Sequence, residues 1–208
     1  DSYGSRGLGD VYKRQHQYLS SKQGLLLSST PLTLAETASV FGEMMTFRTL
    51  LAESSSETKK YLLASKIEDM INTVVRQISF FEFEKLVHNE RKNGELSSDQ
   101  ICEFWMKTQS ESLGPHIELT EGYKYFWTYI PHFIHTPFYV YAYAFGDCLV
   151  NVLIQLYDEG LPDFKNNYIE LLKSGGSKHY SEVLKPFNVD LKNKDSWQKG
   201  LSMISGLI

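Results

Sequence analysis

Residues 138–157 read FYVYAYAFGDCLVNVLIQLY, and this stretch decides between two fold classes. Its twenty residues carry Asp147 as the sole charge and are long enough to cross a bilayer. However, tyrosines fill its first half, where a membrane span would have leucine and isoleucine. Polar residues also recur at every fourth position, at Asp147, Asn151 and Gln155, and would form a polar strip along a helix. We therefore predict a buried helix that lines a polar cavity, and no membrane partner, with a membrane span as the alternative.

The composition excludes two classes of protein. Of the 208 residues, 42% are hydrophobic and 13% aromatic, so a disordered chain is excluded. The 21 Lys and Arg against 25 Asp and Glu give a net charge of −4, so we expect no nucleic-acid partner. Cys102 and Cys148 are far apart and no signal peptide is visible, which predicts a cytoplasmic protein with both thiols in its core.

Apolar residues recur at threes and fours along the chain, and no segment alternates convincingly with period two, so we predict an all-α fold. The clearest start signal is Ser97 followed by Gln100, a capping box, and the clearest stop is Asn93-Gly94. Besides the aromatic helix, we predict helices at residues 33–53, residues 57–92, residues 97–113, a short segment ending at 173, and around 180 and 197.

Glu36 and Glu43 lie in AETASVFGE, residues 35–43. They are seven residues apart, two helical turns, so both carboxylates project from one face of the predicted helix. The rest of that segment is small or apolar, and burying two unpartnered carboxylates there would be strongly unfavourable. A metal ion would partner one of them, and a buried salt-bridge network is the alternative.

A second group of candidate residues lies in IPHFIHTPFYVYAYAFG, residues 130–146. His132 and His135 are expected on a proline-bracketed loop, and Tyr139, Tyr141 and Tyr143 on the helix that follows. Tyr139 and Tyr143 would share a face. Histidine and phenol donors held close together are suited to stabilising an oxyanion. An aromatic packing cluster is the alternative.

These segments, followed by LLKSGGS and LKPFNVDL, closely resemble the C-terminal part of oligoendopeptidase F, in the thimet oligopeptidase family of zinc metallopeptidases. The resemblance covers residues 16–208. It implies a helical fold whose two halves enclose a channel for short peptides, and a zinc ion held by an H-E-x-x-H helix and a downstream glutamate. Glu36 matches that glutamate, and Glu43 matches a second one that supports the ligands from behind.

The resemblance also implies roles for the second group. His132, Tyr139 and Tyr143 match the catalytic donors that stabilise the tetrahedral intermediate, and His135 and Tyr141 are expected to bind substrate. The implied function is a zinc-dependent metalloendopeptidase that hydrolyses short peptides. A non-catalytic helical peptide-binding module is the alternative.

The start of the chain departs from this family. When the family pattern H-E-x-x-H-x-x-H-Q is aligned on His16-Gln17, Gly9, Asp10 and Lys13 stand at the first histidine, the general-base glutamate and the second histidine. Glu36 alone cannot hold zinc in a tetrahedral site. We therefore expect residues 1–15 to be a non-native tail, residues 16–208 to be truncated upstream, and this chain to be an inactive fragment that holds no zinc.

Overall fold

The amphipathic patterns of the sequence form helices throughout the computed structural model, which describes residues 3–206, with side chains for 11–203 and 205–206. Every regular element in that range is helical, so the predicted all-α fold is confirmed. The α-helices are α1 (Tyr3–Ser20), α2 (Leu32–Ala35), α3 (Thr37–Glu53), α4 (Ser56–Met70), α5 (Arg76–Glu90), α6 (Ser98–Leu113), α7 (His132–His135), α8 (Tyr141–Asp158), α9 (Phe164–Lys173), α10 (Tyr180–Val183) and α11 (Lys194–Ser205).

Local end signals place several of these helices where the sequence predicts them. Before α6, Ser97 Oγ accepts the N–H of Gln100 at 3.3 Å, and Gln100 Oε1 accepts the N–H of Ser97 at 2.9 Å. This reciprocal pair is the predicted capping box. Gly94, after α5, has φ 147°, a value that residues with a Cβ rarely adopt.

The structure corrects two predicted element boundaries and adds a π-helical turn inside a third predicted helix. The helix expected over residues 33–53 is divided at Glu36, whose φ of −93° and ψ of −2° separate α2 from α3. The helix expected over residues 57–92 contains a π-helical turn at Ile71–Val75, where four of five residues are β-branched and have lowered helix propensity. The loop expected around residue 132 contains α7, and α8 begins at Tyr141, after Tyr139.

The first compact unit comprises Asp1–Glu68 and Phe145–Ile208. Within it, α1 packs against α3 and α9. Its core combines one face of α8 with side chains from the C-terminal segments. The largest fully buried side chains of this core are Leu34, Leu149, Leu153, Leu171, Leu184 and Phe187.

The second compact unit comprises Asp69–Ala144. Here α5 packs against α6, and α6 packs against a 3₁₀ helix at Glu121–Tyr129. An aromatic cluster forms its core, and Trp105 at its centre is only 1% exposed. The Trp105 ring centroid lies 5.4 Å from that of Phe80, 5.2 Å from that of Phe83 and 6.3 Å from that of Phe133. Aromatic pairs at such separations contribute beyond the area they bury.

Two residues of the polar strip of α8, Asp147 and Asn151, are buried, as the sequence predicts. Asp147 and Asn151 are 3% and 0% exposed, and Asn151 Nδ2 donates to Asp147 Oδ2 at 3.2 Å. Both side chains are therefore shielded from solvent. Burial raises the pKa of Asp147, an effect opposed by the Lys66 ammonium and by the Asn151 hydrogen bond. Among residues 3–206, no helix combines the length and apolar character needed to cross a membrane.

Candidate functional site

Glu36 lies at the junction of α2 and α3 and is buried, with 6% of its surface exposed. Its Oε2 atom accepts a hydrogen bond from Ser39 Oγ at 3.1 Å and lies 2.9 Å from Lys13 Nζ. Gly146 of α8 packs against this carboxylate residue so closely that a Cβ at position 146 would be 2.8 Å from Glu36 Cβ. The junction therefore holds one carboxylate in a tightly packed site and pairs it with a lysine.

The ion pair with Lys13 is the arrangement that the salt-bridge alternative expected for Glu36. Lys13 lies on α1, and its side chain is 41% exposed against 7% for that of Glu36. Glu43, two turns further along α3, is partly buried. The sequence places Lys13 where the second histidine of the family pattern belongs, and this position alone does not predict the ion pair with Glu36. The signal in the sequence for this ion pair was Lys13 itself, a lysine on the helical turn where the family pattern has its metal ligands.

The described residues do not fit a zinc site. In the part of the chain with described side chains, no group of three or more His, Cys, Asp or Glu residues could hold a metal ion. Lys13 is a cation at neutral pH and offers no lone pair to a metal. The side chains of Gly9 and Asp10 lie outside the described residues. Glu36 is thus the one expected ligand in place, and its Oε2 atom is already paired with an ammonium group.

His16 begins the sequence that resembles the family and is buried, with 3% exposure. Its Nε2 atom is 3.4 Å from Thr30 Oγ1. Burial lowers the pKa of His16 to about 4, because the charged imidazolium would lose its hydration. The ring is therefore neutral at pH 7.

The structure brings His132, Tyr139 and Tyr143 together in the second unit. His132 Nε2 and Tyr143 OH are hydrogen-bonded at 3.1 Å. The Tyr139 ring stacks on His132 with centroids 5.8 Å apart and meets Tyr143 edge-on at 5.3 Å. All three side chains are partly exposed. We call these three residues the donor cluster, because an imidazole and two phenols can donate hydrogen bonds from one place.

The backbone around the donor cluster is sharply turned. Pro131 precedes the single turn of α7, which carries His132 at its first position. The Tyr139 N–H then donates to Thr136 O at 3.2 Å, and between them Phe138 has φ 61°, in the left-handed region. These turns fold the chain back, so that Tyr139 reaches His132 although it precedes α8.

Two of the five predicted residues lie outside this cluster. The Tyr141 ring packs edge-on against Phe81, with centroids 5.7 Å apart. His135 ends α7 and is exposed. Glu36 and Glu43 belong to the first compact unit, and all five ring residues belong to the second.

Glu84 is a polar residue of this region that the sequence reasoning missed. It is 2% exposed on α5, and its Oε1 atom accepts the N–H of Phe138 at 2.8 Å. Burial raises its pKa, an effect opposed by the Phe138 hydrogen bond and by the nearby His88 and His132. The sequence did contain a signal for this buried residue: Glu84 lies one turn after Phe80, on the apolar side of a helix.

The two cysteines are not candidate nucleophiles. Cys102 is buried, and Trp127 Nε1 donates to its Sγ atom at 3.5 Å. Burial and the neighbouring Asp147 raise the pKa of Cys148 to about 12, so this thiol is protonated at neutral pH. Cys102 is buried as predicted, and Cys148 is half-buried.

Residues 14–203 match the sequence model of peptidase family M3. The chain belongs to peptidase family M3. The match begins two residues before His16, where the resemblance to this family begins in the sequence. It confirms the predicted family over residues 16–203.

Curated relatives of the M3 chain are named as oligopeptidases. It is 35% identical over 162 residues to an oligoendopeptidase F homolog of Borreliella burgdorferi, covering 77% of this chain and 27% of that protein. It is 30% identical over 192 residues to oligopeptidase PepF of Bacillus subtilis, covering 90% of this chain and 28% of that protein.

Two crystal structures share the fold of this M3 chain. A putative peptidase from Chlamydophila abortus superposes with a TM-score of 0.81 at 28% identity, covering 96% of this chain and 34% of that one. The oligoendopeptidase-F from Enterococcus faecium gives a TM-score of 0.75 at 25% identity, covering 97% and 38%. The chain spans less than a third of the length of the Borreliella burgdorferi and Bacillus subtilis relatives.

Proposed function

We propose that this chain is the C-terminal part of a zinc-dependent M3 endopeptidase that hydrolyses short peptides. The family match supports the peptidase class. Zinc dependence is proposed for the complete protein only, because the described residues here do not fit a metal site. We expect the chain alone to be inactive, and residues 1–15 to be a non-native segment joined to the family sequence.

The observation that carries this proposal is the hydrogen bond between His132 and Tyr143 beside the Tyr139 ring. In the proposed role these donors bind the carbonyl oxygen of the scissile peptide and stabilise the negative charge that develops on it. Neutral phenols do this without placing a full positive charge in the site. His135 and Tyr141, which lie outside the donor cluster, are proposed to contact other parts of the peptide.

The second candidate function is a non-catalytic helical module that binds peptides. The ion pair between Lys13 and Glu36 favours it, since a native lysine at that position would mean that the metal has been replaced by a side chain. Both candidates share short peptides as partners. Neither predicts nucleic-acid binding, given a net charge of −4. A cytoplasmic location is proposed because Cys102 and Cys148 are free thiols.

Sequencing the genomic DNA upstream of the His16 codon distinguishes the two candidates. An in-frame H-E-x-x-H motif directly upstream supports the peptidase, and in-frame codons for residues 9–15 as they stand support the binding module. The matched assay measures cleavage of an internally quenched octapeptide by this chain with added Zn²⁺. We expect no cleavage above background, and turnover that requires Glu36 would contradict the proposed inactivity of the chain.

A further inference from the structure

The donor cluster is built on a backbone position that is unfavourable for its residue. Phe138 has φ 61°, and a left-handed conformation is strained for a residue with a Cβ. Only a contact from elsewhere in the fold can make this conformation persist. Since Tyr139 is the next residue, the Phe138 turn sets where the Tyr139 ring lies.

Glu84 supplies that contact. Its Oε1 atom accepts the Phe138 N–H at 2.8 Å across 54 residues of sequence. The Phe138 ring also lies 4.5 Å from the His88 ring, one turn along α5 from Glu84, so the same helix holds both the backbone and the side chain of Phe138.

A purely structural role does not explain Glu84. Among the described residues, its buried Oε2 atom has no hydrogen-bond partner. A leucine would fill the same space without burying an unpartnered oxygen. The carboxylate therefore carries a stability cost, and the one contact described for its other oxygen is the Phe138 N–H.

We propose that Glu84 is a positioning residue for the donor cluster: by accepting the Phe138 N–H it fixes the left-handed turn that holds Tyr139 against His132. His132 is in turn hydrogen-bonded to Tyr143 at 3.1 Å, so the position of Tyr139 completes the arrangement of the three rings. The importance of this alignment for peptides rests on the proposed function. The positioning itself does not, because it is a property of the second unit alone.

The test uses four variants of the full chain and two NMR measurements. Glu84→Leu removes the acceptor, and Glu84→Gln keeps an oxygen that can accept the same hydrogen bond. Glu84→Leu with Phe138→Gly removes the acceptor but allows positive φ without strain. Glu82→Leu is the control, because Glu82 is on the same helix and pairs with Lys85 at the surface. The measurements are exchange of the Phe138 amide and the nuclear Overhauser effect between the Tyr139 and His132 rings.

In Glu84→Leu we expect Phe138 amide exchange to rise about tenfold and the ring-to-ring signal to fall to less than half. Glu84→Gln should change exchange less than threefold, and the Phe138→Gly double variant should regain the ring-to-ring signal. Glu82→Leu should match the unmodified chain. If Glu84→Leu does not fold, as judged by far-ultraviolet circular dichroism, the ring-to-ring signal of Glu84→Gln compared with that of the unmodified chain decides. Loss of the ring-to-ring signal in Glu84→Gln, or its persistence in a folded Glu84→Leu, would overturn the proposal.

Binding of fluorescein-labelled Ala-Phe-Ala-Phe-Ala, followed by anisotropy, separates this inference from the proposed function. If Glu84→Leu displaces Tyr139 but leaves peptide affinity unchanged, the positioning role stands and the role of the cluster in peptide binding is wrong. If Tyr143→Phe weakens peptide binding while Glu84→Leu leaves the rings in place, the proposed function stands and the positioning role is wrong.

Discussion

Lys13 Nζ lies 2.9 Å from Glu36 Oε2, so a lysine of α1 supplies the positive charge beside the glutamate that the sequence proposes as a metal ligand. The pair joins residues 23 positions apart, and Glu36 is the buried partner. A buried carboxylate requires compensation by charge or hydrogen bonds. In this chain Lys13 and Ser39 provide it.

Lys13→Ala should lower the free energy of unfolding by about 1 kcal/mol, because it removes a charged partner of a buried carboxylate while the lysine itself is partly solvated. The control is Lys173→Ala, whose partner Glu170 is 70% exposed, and its effect should stay within about 0.5 kcal/mol. Urea denaturation measures both. Equal effects of the two substitutions would show that the Lys13 pair behaves as an ordinary surface pair.

Zinc should bind this chain no more tightly than it binds a surface carboxylate, because Glu36 offers one ligand where a tetrahedral site needs several. Isothermal titration with ZnCl₂ should give affinities within about twofold for the unmodified chain, Glu36→Gln and the exposed-site control Glu170→Gln. One equivalent of zinc retained after dialysis and lost in Glu36→Gln would contradict this expectation.

The sequence predicts the elements of the fold better than their contacts. The capping box at Ser97 and the stop at Gly94 are local signals, and both are found as predicted. The division at Glu36 and the π-helical turn at Ile71–Val75 interrupt patterns that are continuous in the sequence. Such interruptions are set by packing between elements, which periodicity does not encode.

The candidate site shows the same limit. The spacing of Tyr139 and Tyr143 predicts neighbouring rings, and the rings are 5.3 Å apart, although Tyr139 precedes the helix. The contact of Glu84 with Phe138 spans 54 residues and follows from no local pattern. The ion pair of Lys13 with Glu36 links α1 to the junction of α2 and α3, so the periodicity within either segment does not predict it.

Gly42→Ala should destabilise the chain by about 2 kcal/mol, because a Cβ at position 42 of α3 would overlap the Tyr12 ring of α1. In a Tyr12→Ala background the same substitution should have much less effect, so the two changes should be strongly non-additive. Gly122→Ala is the control, since among the described residues no atom beyond the local backbone and chain neighbours lies within 4 Å of a Cβ there. Additive effects in urea denaturation would show that α1 does not pack on Gly42 in solution.

Tyr143→Phe should weaken binding of the labelled pentapeptide by about threefold to tenfold, because it removes a hydrogen-bond donor from the cluster and leaves the His132 imidazole without this partner. Fluorescence anisotropy measures the affinity. Tyr129→Phe is the control, as Tyr129 lies in the same unit and is 78% exposed. Equal affinities for both variants and the unmodified chain would remove Tyr143 from the proposed peptide site.

Acid should destabilise the chain through His16. Its pKa is lowered from 6.5 to about 4 by burial, so between these values the unfolded chain binds a proton that the folded chain does not. Stability from this residue is therefore fully present above pH 6.5 and is lost as the pH falls towards 4. The difference in pKa corresponds to a loss of up to about 3 kcal/mol.

Urea denaturation at pH 7.5, 6, 5 and 4 tests this linkage. His16→Leu removes the titrating group, so its free energy of unfolding should fall less steeply than that of the unmodified chain over this range. His116→Leu, at an exposed histidine, should follow the unmodified chain. If the His16→Leu and unmodified curves ran parallel from pH 7.5 to 4, His16 would be protonated equally in the folded and unfolded states, and the ring would have to be hydrated within the fold.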